Sequence, residues 1–204
     1  LLLNKKGTKL IWAVPAKNKI TVPDSVTSIA DNALKAGKAT SVYLGKKVKM
    51  IGKDAIAGKK ITKVSIAKKN KSIAKQGQCI YEKKSGKLLI AVAKKNVVKI
   101  GNKVKLISED ASLCGSRQLK KLDIGASVKT LQGAWGEFYR AGYVTTTKVY
   151  FRSKNPPKLT QNNDKNYCYL PIFRDVYVPK ASLKKYKKWY KKNDALQFVK
   201  LKTF

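Results

Sequence analysis

GKLLIAVAKKN, residues 86–96, is an apolar run closed by two lysines, and TKLIWAVPAKN, residues 8–18, says the same thing seventy-eight positions earlier. The correspondence runs past the quoted words. Leu2-Leu3-Asn4-Lys5-Lys6 faces Ile80-Tyr81-Glu82-Lys83-Lys84, Val26-Thr27-Ser28-Ile29 faces Val104-Lys105-Leu106-Ile107, Ala33 faces Ala111 and Gly37 faces Gly115. A fixed offset held over some 36 positions marks a duplicated structural unit, the signature of a repeat architecture.

A shorter period sits inside the long one. Val26-Thr27-Ser28-Ile29 recurs as Val48-Lys49-Met50-Ile51, Val104-Lys105-Leu106-Ile107 and Val128-Lys129-Thr130-Leu131. Ahead of each stands an alternating apolar pair: Ile20 and Val22, Val42 and Leu44, Val98 and Ile100, Leu122 and Ile124. The pair appears again as Val64 and Ile66, Val149 and Phe151, and Val176 and Val178. Alternation with β-branched residues predicts half-buried strands. The 22–34-residue spacing of neighbouring pairs suits one strand per solenoid coil. Four of the eleven acidic residues, Asp31, Asp54, Glu109 and Asp110, fall in one slot after the second apolar step. Carboxylates there predict the start of a short helical turn, and Gly37, Gly58 and Gly115 its stop. Each unit reads as strand, turn, second short extended segment, then one or two helical turns.

ITVPDSVTSIADNALKAG (20–37) resembles the repeat of BspA-like leucine-rich-repeat proteins. LLNKKGTKLIWAVPAK (2–17) and IYEKKSGKLLIAVAKK (80–95) resemble a hairpin element of that family. NPPKL (155–159) with VYVPKASLKKYKKW (176–189) resembles its closing strand and capping helix. The expected fold class is α/β: a leucine-rich-repeat solenoid, mainly β with short helical turns. Its repeats are about 22–24 residues, with β-hairpin insertions and a C-terminal capping helix. A single domain, 1–204, is expected, with 180–204 as the cap. Ser182 should start the helix, Leu183, Tyr186 and Trp189 or Tyr190 should cover the last coil, and Lys184, Lys185, Lys187 and Lys188 should face water. Residues 132–147 and 160–173 fit the repeat poorly and read as insertions.

Charge narrows the function. The formal net charge is +35, and all but four of the 46 cationic residues are lysines, the exceptions being Arg117, Arg140, Arg152 and Arg174. Lysine is a hydrated point charge, whereas arginine makes the bidentate contacts that read bases and phosphates. Charge therefore implies attraction to polyanions in general. Histidine is absent, which removes His-activated nucleophiles and His metal sites. Cys79, Cys114 and Cys168 form neither a zinc pattern nor a disulfide framework and read as small buried apolar residues. Without a phosphate-cradling glycine loop or a free carboxylate pair, no catalytic, cofactor or metal residues are assigned, and no enzyme is expected. The longest apolar run, LLIAVA (88–93), is too short to span a membrane.

The family resemblance implies an exported bacterial protein, secreted or on the cell surface, that adheres to or recognises other macromolecules; a signal peptide is expected upstream of Leu1. Strand parity supplies the candidate face. With Val42 and Leu44 inward, Ser41 and Tyr43 point out, and so do Lys63, Ser65, Lys99, Lys121, Asp123, Lys148, Tyr150 and Tyr177. The lysines at 63, 99, 121 and 148 are expected to run along successive strands as a line for a polyanion. Expected partners are an extracellular protein or an acidic polysaccharide, the latter including anionic cell wall, with no small-molecule substrate and the chain a monomer. The rival reading is a nucleic-acid or general polyanion binder, favoured by the charge and by the aromatic-rich end of the chain; arginine scarcity and the lack of a groove-entering motif oppose it.

Overall fold

The computed structural model describes residues 1–14, 18–34, 38–58, 60–116, 118–133, 147–160, 174–193 and 196–204. Lys17, Gly37, Cys168 and most of both expected insertions lie outside the described residues. Among the described residues the chain winds as a β-solenoid of about six turns, mostly strands, with one α-helix near the C-terminal end. Every alternating pair read from the sequence places at least its first residue in a parallel ladder. Lys19–Thr21, Ser41–Leu44 and Lys63–Ile66 build a three-stranded sheet. Val97–Ile100, Lys121–Ile124, Lys148–Phe151, Asp175–Val178 and Lys200–Thr203 build a five-stranded one. On these strands Val42, Leu44, Val98, Leu122, Val149, Val176 and their like are buried, while the residues between them reach solvent. The second apolar step makes the opposite wall: Val26, Val48, Val104 and Val128 are buried at its turns. Ser28–Ile29 and Met50–Ile51 pair in one sheet, and Leu106–Ser108, Thr130–Gln132 and Lys158–Thr160 in another.

The 78-residue duplication is kept in the pairing itself. Leu3 opposes Leu10 in an antiparallel hairpin, as Tyr81 opposes Leu88; Leu2 opposes Trp12, as Ile80 opposes Ile90. The downstream coil joins each hairpin in parallel, through Lys9 with Ser28 in the first copy and Lys87 with Leu106 in the second. The amide of Thr27 donates to the carbonyl of Thr8 at 2.8 Å, and that of Lys105 to Gly86 at 2.9 Å.

The second hairpin separates the two main sheets. Its leading strand Ile73–Gln76 pairs antiparallel with Cys79–Glu82, and side chains from that strand and the turn after it reach the edges of both main sheets. Lys75 Nζ donates to the Val64 carbonyl at 2.7 Å on one side. On the other, Gln78 Nε2 donates to the Val97 carbonyl at 2.8 Å, and its Oε1 accepts from the Lys99 amide at 2.8 Å. These bonds satisfy backbone groups that a neighbouring strand would otherwise serve.

The expected helical turns are tight turns instead. Asn32 and Asp54 sit in left-handed conformation, φ 56° and 51°, which a right-handed helix cannot contain. In the third such slot, residues 112–114 form a strand beside Leu88–Val92. The carboxylates consequently serve other ends. Asp31 Oδ1 accepts from the Lys53 amide, and Asp24 Oδ1 from the Lys46 amide, each at 2.8 Å and each exactly one coil ahead. Gly52 lets the coils approach there, since a Cβ on it would lie 2.1 Å from Asp31 Oδ1. Lys53 and Lys87 bring ammonium groups to Glu109 and Asp110, at 3.9 and 2.7 Å.

Helical periodicity at the C-terminal end is realised as Leu183–Lys192, entered through a 3₁₀ turn at Lys180–Ser182. Ser182 is its first flanking residue, though its hydroxyl makes no capping bond. Tyr186 and Tyr190 are buried in the core cluster containing Phe151, Val176 and Val178, with Leu183 and Trp189 partly buried against it. Lys184, Lys185, Lys187 and Lys188 are exposed.

Candidate binding face

Strand register places all ten sequence-derived face residues on the outward side and divides them between two sheets. On the three-stranded sheet Ser41 aligns with Lys63, and Tyr43 with Ser65. On the five-stranded sheet one row runs Val97, Lys121, Lys148, Asp175, Lys200, and the next runs Lys99, Asp123, Tyr150, Tyr177, Lys202. The four lysines therefore do not form one line. Lys63 belongs to the other sheet, across the hairpin, and Lys99 lies in the row of Asp123, one row away from Lys121 and Lys148. Recurrence in sequence assigned parity correctly. It could not show that the hairpin displaces a strand, or that different strands present lysine at different rungs.

Tyr150 and Tyr177 hold the same rung on adjacent strands and stack, with centroids 4.4 Å apart and planes 9° from parallel. Lys121 Nζ lies 4.2 Å from the Tyr150 centroid and the Arg152 guanidinium carbon 5.1 Å from it. Lys202 Nζ is 5.6 Å from the Tyr177 centroid. Ammonium and guanidinium groups are attracted to the negative faces of the rings. Phe204 completes the cluster, 6.1 Å from Tyr150 and 4.6 Å from the Arg152 guanidinium carbon.

Two carboxylates hold the cations in place. Asp123 accepts a bidentate pair of bonds from Arg152 Nε and Nη2, both 2.7 Å, with Lys121 Nζ at 3.7 Å. Burial pushes the Asp123 carboxyl up, but the Arg152 hydrogen bond and the charges of Arg152, Lys121 and Lys99 outweigh it and hold the group below the usual carboxylate value. Asp175 bonds Lys202 Nζ at 2.8 Å, and that hydrogen bond above all keeps its carboxyl low. Two carboxylates thus anchor the three cations around the two tyrosines, and the cluster keeps a net positive charge.

Arg152, Asp175, Lys202 and Phe204 were absent from the sequence-derived face. Parity carried a signal for two of them, since Arg152 lies two residues beyond Tyr150 and Asp175 two before Tyr177. Phe204 and Lys202 gave less warning. They arrive because Lys200–Thr203 returns to the sheet as a fifth strand after the helix.

No group of three or more His, Cys, Asp or Glu is placed to hold a metal ion among the described residues. Burial pushes the Cys79 thiol up to about 11, so it stays protonated and unreactive at neutral pH.

Stacked coils with a continuous outward sheet define a repeat solenoid, an architecture that presents an extended surface. Residues 16–135 match the BspA type leucine rich repeat region in six copies, and the chain belongs to that family. No curated protein matches the sequence. No helix among the described residues is long and apolar enough to cross a membrane.

Proposed function

We propose that this chain is a non-enzymatic recognition protein, secreted or displayed on a bacterial surface, that binds an extracellular protein partner through the outward face of its five-stranded sheet. Residues 1–204 act as one solenoid domain, with 180–204 as its cap. The Tyr150–Tyr177 stack, clamped by Lys121, Arg152 and Lys202, carries this reading. Rigid tyrosines beside an arginine, held in advance by ion pairs, lose little conformational freedom on binding, which is the character of interface hot spots. A sugar would need a free ring face to lie against, and here each ring has one face on its neighbour and a cation near it. A protein partner can use the hydroxyl edges and the apolar rim of Phe204.

A second reading rests on the net charge of +35, which alone would draw heparin, nucleic acid or anionic cell wall. Selection of binders from a displayed random-peptide library at about half-molar NaCl, where screening reaches within a few ångströms, separates the two. Selected peptides should slow amide exchange in 121–124, 148–151 and 175–178. Protection elsewhere, or no binder surviving the salt while heparin binds at low salt, would leave the charge reading in possession.

A further inference from the structure

The duplicated hairpin is a control for itself. In the second copy, Ile80, Ile90 and Val92 are 0%, 0% and 5% exposed; their first-copy counterparts Leu2, Trp12 and Val14 are 57%, 41% and 73% exposed. Leu89 is likewise buried where Ile11 is open. The forward-facing residues behave alike in both copies, since Leu10 and Ala13 are as buried as Leu88 and Ala91. Only the backward face differs.

What covers that face in the second copy is on view. Leu88–Val92 is wedged between two core clusters. Leu88 and Ala91 join the coils that follow, while Leu89, Ile90 and Val92 join the coils that precede, alongside Ile56, Ile61, Val64 and Ile73. Ile73–Gln76 also pairs antiparallel with Cys79–Glu82, the counterpart of residues 1–4. The first copy has the same hairpin and the same apolar positions with nothing packed on them. An apolar patch of this kind, beside an unpaired strand edge, marks an interaction surface.

We propose that the edge formed by Leu2, Ile11, Trp12 and Val14 is an inter-repeat interface. Its occupant is one further leucine-rich-repeat coil on the same polypeptide, built like residues 53–78, whose last strand pairs antiparallel with Leu2–Leu3. The occupant's chemistry follows from the second copy: branched aliphatic side chains at the places of Ile56, Ile61, Val64 and Ile73, and a strand that ends two residues before the hairpin begins. Stacked repeats bury in one another what a single unit cannot cover.

The chain supplies its own test piece. Because Gln78 precedes Cys79 and Cys79 corresponds to Leu1, residues 53–78 fused directly ahead of Leu1 present the coil in the natural register. The fusion should melt at least about 3 °C higher than the 204-residue chain, lose the binding of a hydrophobic dye, and slow amide exchange over residues 1–12. A control fusion with one serine inserted before Leu1 shifts the strand by one residue, turns its apolar set outward and should lose all three gains. No gain in the in-register fusion, or equal gains in both, would overturn the proposal. So would a concentration-dependent dimer of the unfused chain that protects residues 1–12, since a second copy would then be the occupant.

Discussion

Tyr150 and Tyr177 hold the same rung on adjacent parallel strands, and their rings stack 4.4 Å apart at 9°. Parallel pairing sets successive strands about 4.8 Å apart, so identical side chains on one rung meet ring to ring. The repeat thus places the two tyrosines, and the coil-to-coil ion pairs of Asp123 with Arg152 and Asp175 with Lys202 steady the groups around them. Because both rings are only half-buried, Tyr150→Ala should cost about 1–3 kcal/mol of stability, the value of a stacked aromatic pair plus that of the apolar area lost with the ring. Thermal unfolding measures this; a loss above about 3 kcal/mol would mean that the stack belongs to the core.

Acid should weaken this part of the sheet. The Asp123 carboxyl is held below its usual value in the folded chain, so its ionised form contributes stability in full above the ordinary carboxylate range. That contribution is lost as pH falls through the range and on through the depressed folded value. Chemical unfolding of the native chain should therefore show a fall in stability below about pH 4 that is smaller in Asp123→Asn, the variant already lacking the pair at neutral pH. Parallel pH profiles for the two proteins would remove Asp123 from the account.

The helix offers a paired test at two buried phenols. Tyr186 donates its hydroxyl to the Ser153 carbonyl at 3.1 Å, while the Tyr190 hydroxyl finds no partner among the described residues. Tyr186→Phe should lose about 1 kcal/mol, and Tyr190→Phe should be neutral or stabilising. Tyr186→Ala should cost about 3–5 kcal/mol through the cavity beside Phe151. Removing 180–204 altogether should expose the Val176 and Val178 end of the core and cause aggregation. A shortened chain that stays monomeric with unchanged melting would show that the helix covers nothing.

Salt should stabilise the fold. Forty-six cations face eleven anions, and the ion pairs described here cannot balance that excess. The Debye length is about 8 Å at physiological ionic strength, so added NaCl relieves lysine–lysine repulsion faster than it weakens the few close pairs. Melting temperature should rise up to about half-molar NaCl. A falling trend would mean that ion pairs, not packing, hold the coils.

Much of this was legible in the sequence because a solenoid repeats its constraints. Every coil must bury Val42-like and Val48-like positions, so the strand pairs, their parity and the 78-residue hairpin duplication could be read directly. The capping helix was legible for the same reason, its Tyr186 and Tyr190 recurring at helical spacing. What differs from coil to coil was not. Asp31 and Asp54 look like helix starters, yet the left-handed turn at Asn32 and Asp54 ends any helix, and Asp31 serves the next coil's backbone instead. The supposed lysine line failed because Lys75 and Gln78 put side chains where a strand was expected, separating Lys63 from Lys99.

The central claim is that an arranged face, not bulk charge, does the recognising. It is tested most directly by the affinities of face-protecting selected peptides for two variants at about half-molar NaCl. One variant is Tyr150→Ala with Tyr177→Ala, which changes no charge; the other turns Lys184, Lys185, Lys187 and Lys188 on the helix to Gln, removing four. The account predicts at least a tenfold loss in the first, about 1.4 kcal/mol, and little change in the second. An unchanged affinity in the tyrosine variant with a marked loss in the lysine variant would contradict it.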